Sequence, residues 1–269
     1  MITEHGRTQV LCYFMNQYYF DVLAADVDYR DRIHLHSLFG MLQEAAGRNA
    51  EEYGWGASAM DAEAASWIIL RMSVRMERLP KFGEKVCIET WSRGYRRLYF
   101  LRDFILSDRA GLEIGRATSV WIAVDKRTRR PLRPERFDAV SSVASLDRAA
   151  LFDEALQIQP LSKRLAPDDE KVQKILKHAD YSEIDRNLHV NNTRYIAWSM
   201  DAVNYNELVK CDILSIDINY LCEIKHKDKV DIIFISESSE IRVDGIVSQT
   251  EKLAYCCRLS SERDVGGNA

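Results

Sequence analysis

Apolar and polar positions along the chain repeat one plan twice. In the segment YRDRIHLHSLFGMLQEAAGRNAEEYG, Leu38, Leu42, Ala45, Ala46 and Asn49 recur at helical spacing and predict a long helix. The segment EIDRNLHVNNTRYIAW and its continuation SMDAVNYNEL predict a second, with Ile196, Met200 and Val203 on one face. Extended runs follow each helix: SWIILRMSVRMERLPKFGEKVCIETW after the first, LSIDINYLCEIKHKDKVDIIFI after the second. Each run contains a polar turn with a similar landing, PKFGEKV in one and KHKDKV in the other. YFLRDFILSD, EIGRATSVWIAVD, IRVDGIVSQ and KLAYCCRLS complete the set of strand candidates.

A long helix followed by antiparallel strands, used twice, is an α+β plan in which each helix covers one face of a sheet. Edge pairing of the two sheets would make one continuous structure. Four of the five prolines (131, 134, 160 and 167) lie between the repeats, together with the charged stretch DKRTRRPLRPER. The division expected is therefore a first module over 1–135, a linker over 136–171 and a second module over 172–269. A linker of this length is expected to run over the surface and carry some helix, with DRAALFDEAL the candidate.

Composition narrows the class only a little. With 46% hydrophobic and 29% charged residues and a formal charge of −4, the chain has no overall pull toward nucleic acid or a membrane. No apolar run reaches the length of a membrane span, and MITEHGRTQVLCYFM lacks a basic start with a sustained apolar core. A cytoplasmic protein is expected, with no membrane anchor and no nucleic-acid partner. The six cysteines show no CxxC spacing and several sit in strand-like runs, so buried reduced thiols are expected. His34 and His36 are spaced like a metal pair, but no further ligands cluster in the sequence nearby, and no metal or other cofactor is called for.

The chemistry concentrates before the second helix. Asp185, Asn187 and His189 are spaced by two and share one face of an extended segment, with Asn191 and Asn192 at the helix mouth. One Asn suffices as an N-cap, so the surplus asks for another role. Laying His34 on His189 sets Arg30 against Asp185 and Arg32 against Asn187; laying Val86 on Val230 sets Leu79 against Glu223. On this register the polar group belongs to the second half alone. Alternation in SIDINYLCEIK puts Glu223 on the face opposite Ile216, Ile218, Tyr220, Cys222 and Ile224. A solvated surface glutamate is the plain alternative.

EIDRNLHVNNTRYIAW resembles the Asp-x-Asn-x-His-Val-Asn-Asn…Tyr-Ile-x-Trp pattern of the acyl-acyl carrier protein thioesterases, and NYLCEIKHKDKV resembles their glutamate-bearing strand. LQEAAGRNAEEYG, PKFGEKVCIETW, RRLYFLRDF and RATSVWIAVDKRTRRP match the same family in order. The resemblance implies two fused hotdog modules, each a long central helix wrapped by an antiparallel β-sheet. It also implies catalytic roles for Asp185, Asn187, His189 and Glu223. Plant members carry a cysteine after the glutamate, discussed as a nucleophile; here that position is Ile224 and Cys222 precedes Glu223, which favours water attack directed by carboxylates. The expected reaction is hydrolysis of an acyl chain from the phosphopantetheine of acyl carrier protein. Backbone N–H groups near Asn191 and Asn192 would be oxyanion donors. An acyl-CoA donor and a non-catalytic acyl-binding role remain as competing readings, and a homodimer is left open. The acyl chain would lie along 38–46 and 67–76. The acidic carrier would dock on Arg93, Arg96, Arg97 or the cluster at 126–130.

Overall fold

The computed structural model describes residues 16–137, 148–161, 171–209, 212–237 and 239–261. They form two compact units, the first built from residues up to Glu154 apart from 35–37 and 70–79, the second from those two short segments and residues 155 onward. The first unit carries β1 (Gln17–Asp21), most of helix α1 (Leu35–Glu52), the short helix α2 (Ala57–Ala62), the start of β2 (Ala65–Met76), β3 (Lys85–Arg96), β4 (Tyr99–Ser107) and β5 (Glu113–Asp125). Its strands lie in the order β1-β3-β4-β5-β2, and β1, β3, β4 and β5 pair antiparallel. Leu38, Leu42 and Ala45 have no exposed surface, which is the stripe that the helical spacing predicted. Asn49 accepts from Arg102 on β4 (2.7 Å) and donates to the Tyr18 hydroxyl on β1 (3.2 Å), tying α1 to its sheet.

The second unit carries β6 (Gln173–His178), helix α3 (Asn192–Asp201), the short helix α4 (Tyr205–Leu208), β7 (Ser215–Tyr220), β8 (Lys229–Glu237), β9 (Glu240–Val247) and β10 (Lys252–Ser260). The order is β2-β7-β10-β9-β8-β6, with residues 71–75 of β2 paired antiparallel to β7. Tyr195 and Ser199 on α3 meet Tyr255 on β10, by ring contact at 5.0 Å and by a 3.3 Å hydroxyl bond. Gly245 sits beneath the Tyr255 ring, where any Cβ would collide with it. The α+β plan thus appears in both units, with an additional strand ahead of each long helix.

Two expectations are corrected. Residues 148–156, most of DRAALFDEAL, form an irregular segment with bends instead of a helix. The cause is tertiary: main-chain groups of this segment are bonded by sheet side chains. Trp91 Nε1 donates to Arg148 O (2.9 Å), and Ala150 N donates to Asp103 Oδ2 (2.8 Å) while its O accepts from Arg116 (3.1 Å). Phe152 N donates to Thr118 Oγ1 (3.4 Å) and its O accepts from Arg93 (3.1 Å). In the second unit Leu156 N donates to Ser73 Oγ (3.0 Å). With its amide oriented to satisfy both ends, Asn219 donates to Leu156 O (3.0 Å) and accepts from Ile158 N (3.1 Å). A helix would consume these groups internally.

The second correction concerns β7, which ends at Tyr220 and does not run on through Glu223. Leu221 N and Cys222 N both donate to Ala254 O (2.8 and 3.1 Å), and pairing stops there. Ser215 to Asn219 are all buried, so the strand shows no inside–outside alternation. Its polar face is covered too: Asp217 is held by Arg75 (3.1 and 3.0 Å) and by Arg258 (3.0 and 2.6 Å).

Arg93, a proposed docking residue, is 3% exposed and lies 3.6 Å from Asp103, which is wholly buried. Burial raises the Asp103 carboxyl, against the pull of the Ala150 N–H, Thr118 and Arg93. Asp103→Ala leaves Arg93 without its buried counter-ion and Ala150 N without its acceptor. Chemical denaturation should show a loss of about 3–5 kcal/mol, with Asp103→Asn losing less.

Candidate active site

The residues before α3 form a closed turn. Asp185 Oδ1 accepts from Asn187 N (2.7 Å) and His189 N (3.4 Å), Leu188 N donates to Asp185 O (3.0 Å), and Asp185 N donates to His189 O (2.8 Å). Short polar side chains favour such self-bonded turns. Leu188 at its tip has φ 65 and is 76% exposed, a backbone conformation that costs a leucine energy. Asn191 then caps α3 by accepting from Thr193 N (2.9 Å), which takes that N–H out of reach of an oxyanion. Glu183 braces the turn from behind. Its Oε1 accepts from the Trp198 indole (2.6 Å) and its O accepts from Asn191 N (2.9 Å).

Glu223 is delivered from the other side. Val190 N donates to Ile224 O (2.8 Å), and Ile224 N donates to the Tyr195 hydroxyl (3.3 Å). Together they bring Glu223 Oε2 to 3.3 Å from His189 Nε2, with 38% and 21% of the two side chains exposed. The structure therefore brings His189 and Glu223 together. Asp185 points into its own turn, and Asn187 stands exposed beside it.

The first unit contains the same turn, which corrects the register read from the sequence. Asp28 Oδ1 accepts from Arg30 N (2.8 Å) and Arg32 N (3.1 Å), Asp31 has φ 58, and Ile33 N donates to Pro80 O (2.9 Å). Bond for bond, Asp28 matches Asp185, Arg30 matches Asn187, Arg32 matches His189, and His34 matches the cap Asn191. Leu79 against Glu223 stands, since Pro80 and Ile224 accept equivalent bonds. The carboxylate is thus present in both halves, and the His–Glu pair in one. In the first unit Arg32 folds back onto Asp28 Oδ2 at 2.8 Å. Burial opposes the Asp28 charge, but hydrogen bonds from the Arg32 side chain and from the Arg32 and Arg30 N–H groups outweigh it and hold the carboxyl below its ordinary range.

Residues 13–136 match the family model of the acyl-ACP thioesterase N-terminal domain, and residues 166–263 match that of the C-terminal domain, together well over half of the chain. The chain belongs to the acyl-ACP thioesterase family. Among curated members of that family, the chloroplastic oleoyl-acyl carrier protein thioesterase of Coriandrum sativum is 28% identical over 243 residues, 82% of this chain and 62% of its own length. Oleoyl-acyl carrier protein thioesterase 2 of Arabidopsis thaliana is 28% identical over 241 residues, 81% and 62%. The chain thus spans about three fifths of the length of these family members. The solved acyl-ACP thioesterase of Bacteroides thetaiotaomicron superposes with a TM-score of 0.78 at 24% identity, covering 91% of this chain and 97% of that one. The 12:0-ACP thioesterase of Umbellularia californica gives 0.77 at 22%, covering 91% and 95%. At that identity the likeness shows the fold, the hotdog fold of the acyl-ACP thioesterases.

Cys222 is half-buried, where full burial was expected, because the strand that would have enclosed it has ended. Burial raises its thiol, with Lys252 pulling weakly the other way, and Cys256 deeper in is pushed up to about 12. A raised thiol is mostly protonated at neutral pH, and its reactive fraction grows as pH rises toward its pKa. Iodoacetamide should label Cys222 more slowly than it labels glutathione at pH 7, with the rate climbing about tenfold per pH unit through pH 8, as read by mass spectrometry.

Proposed function

We propose that this protein is a thioester hydrolase that releases free fatty acids from acyl carrier protein. The observation that carries the reading is the 3.3 Å pairing of His189 Nε2 with Glu223 Oε2 beside the Asp185–Asn187 turn, in a chain of this family. A thioester carbonyl is already activated, so hydrolysis needs a placed water, a base and stabilisation of the developing oxyanion. Glu223 is the base: its carboxylate is open enough to hold a water, and the imidazole of His189, 3.3 Å away, is placed to fix its direction. Asn187, exposed at the same mouth, orients the water or donates to the thioester oxygen. Asp185 serves the turn. Asp28 does the same in a unit where Arg32 replaces the histidine.

Proton transfer to a positioned carboxylate is worth at least about two orders of magnitude, so Glu223→Gln and Asn187→Ala should each lower turnover about 10²-fold or more while the melting temperature is kept. Asp185→Asn retains an oxygen acceptor for the turn and should lose less activity than Asp185→Ala. Equal losses in the two would return Asp185 to the role of base. Cys222→Ser should keep most of its turnover, and an acyl group trapped on that sulfur would restore a covalent route.

The donor is acyl carrier protein in this reading, which suits a chain that keeps both hotdog modules and the polar pair in only one of them. A cytoplasmic setting goes with it, supported by the free thiols of Cys87, Cys222, Cys256 and Cys257. Docking passes to exposed cations. Arg93 is buried and Arg96 is held by Asp153 at 2.7 and 3.0 Å, which points docking to the exposed Arg97, Arg127 and Arg130. Reversing charge at Arg97, Arg127 and Arg130 should raise KM for acyl carrier protein and flatten its salt dependence. Hydrolysis of a short soluble thioester should not change, and equal losses on both substrates would remove these cations from docking. Running acyl carrier and acyl-CoA substrates side by side tests the donor itself.

A further inference from the structure

Glu223 lies on backbone that has left the sheet. After Leu221 and Cys222 share the Ala254 carbonyl, the Cys222 thiol meets Glu223 O at 3.4 Å, and Ile224 is held on both sides: its O accepts from Val190 N, and its N donates to Tyr195 Oη. Tyr195 rises from the first turn of α3 and is 4% exposed. Its ring stands edge-on to Tyr255 at 5.0 Å and to Tyr220 at 5.6 Å, so the hydroxyl has one place to be. Burial raises this phenol well above its ordinary range, so it stays neutral and accepts from Ile224 with its proton on. The same helix begins three residues after His189 and is locked to the turn through Trp198 and Glu183. One rigid element therefore controls both partners of the 3.3 Å pair.

We propose that Tyr195 is a positioning residue for the hydrolysis: by accepting from Ile224 N–H, its hydroxyl sets where Glu223 stands relative to His189. The proposal rests on the reading of Glu223 as the base. Removing the hydroxyl alone leaves a buried N–H unpaired and frees the strand end, and small displacements of a base are costly because near-attack geometry is narrow.

The test is a double-mutant cycle of Tyr195→Phe and Glu223→Gln, with kcat, KM and melting temperature measured on acyl carrier substrate. Tyr195→Phe keeps the ring contacts and should cut kcat about tenfold, with KM changed by less than about twofold. In the Glu223→Gln background the same substitution should cost less than about twofold, since no carboxylate is left to aim. The imidazole nitrogen shifts of His189 in Tyr195→Phe should move toward those of Glu223→Gln, a readout that holds even if the variant is less stable. An unchanged kcat in Tyr195→Phe, equal losses in both backgrounds or unmoved His189 shifts would overturn this proposal alone. Wild-type turnover in Glu223→Gln would overturn the base assignment and this proposal with it.

Discussion

A carboxylate that satisfies two backbone N–H groups of its own turn is the constraint on which both units depend. In each, the chain must leave a short 3-10 turn, Ala24–Asp26 or Tyr181–Glu183, reverse and enter a helix at a fixed point. Asp28 and Asp185 make that reversal by taking the N–H groups two and four residues ahead. The left-handed residue that follows, Asp31 or Leu188, completes it. Once the turn is closed, the residue after it is presented to the strand end opposite, through Ile33 to Pro80 in one unit and Val190 to Ile224 in the other. Every side chain of the candidate site hangs from this frame.

The two copies of the frame carry different chemistry. In the first unit the side chain at the histidine position is Arg32, which closes onto Asp28 and is buried. Leu79, the counterpart of Glu223 in the first repeat, is buried as well. In the second unit both positions hold groups that can exchange a proton, partly open to solvent. Fold and candidate chemistry are thus separable: the aspartate closes the turn in both units, and the histidine four positions on meets the glutamate across the strand end in one.

Much of this was legible in the sequence. Helical spacing found the buried stripe of α1, and the strand candidates match β2 to β5 and β7 to β10. The resemblance to the thioesterase family pointed to the turn at 185–189 and to Glu223, and the structure brings His189 and Glu223 together. The pairing of His34 with His189 failed for a physical reason: a slip of two residues in extended chain leaves every side chain on its own face. The hydrogen bonds of the turn, Asp28 with Asp185 and Ile33 with Val190, break that ambiguity. Glu223 was reached through an alternation that the structure does not keep, because β7 is buried on both faces and ends three residues earlier. Tyr195 and Trp198 entered only through the family's Tyr-Ile-x-Trp pattern, with no role attached, and Glu183 not at all, since long-range hydrogen bonds leave no periodic trace.

The irregular stretch at 148–158 left no periodic trace for a related reason. Apart from the side chains of Arg148, Asp153 and Gln157, what the sheet bonds there is main chain: the N–H and C=O of Ala150, Phe152 and Leu156 answer to Asp103, Thr118, Arg116, Arg93, Ser73 and Asn219. Such bonds leave side-chain identity open except at Arg148 and the buried Ala150 and Ala155, whereas proline is barred wherever the N–H is used. Composition is therefore less constrained along this stretch than the phase of its backbone. Its descendants would align poorly by residue type and well by the polar side chains that grip them.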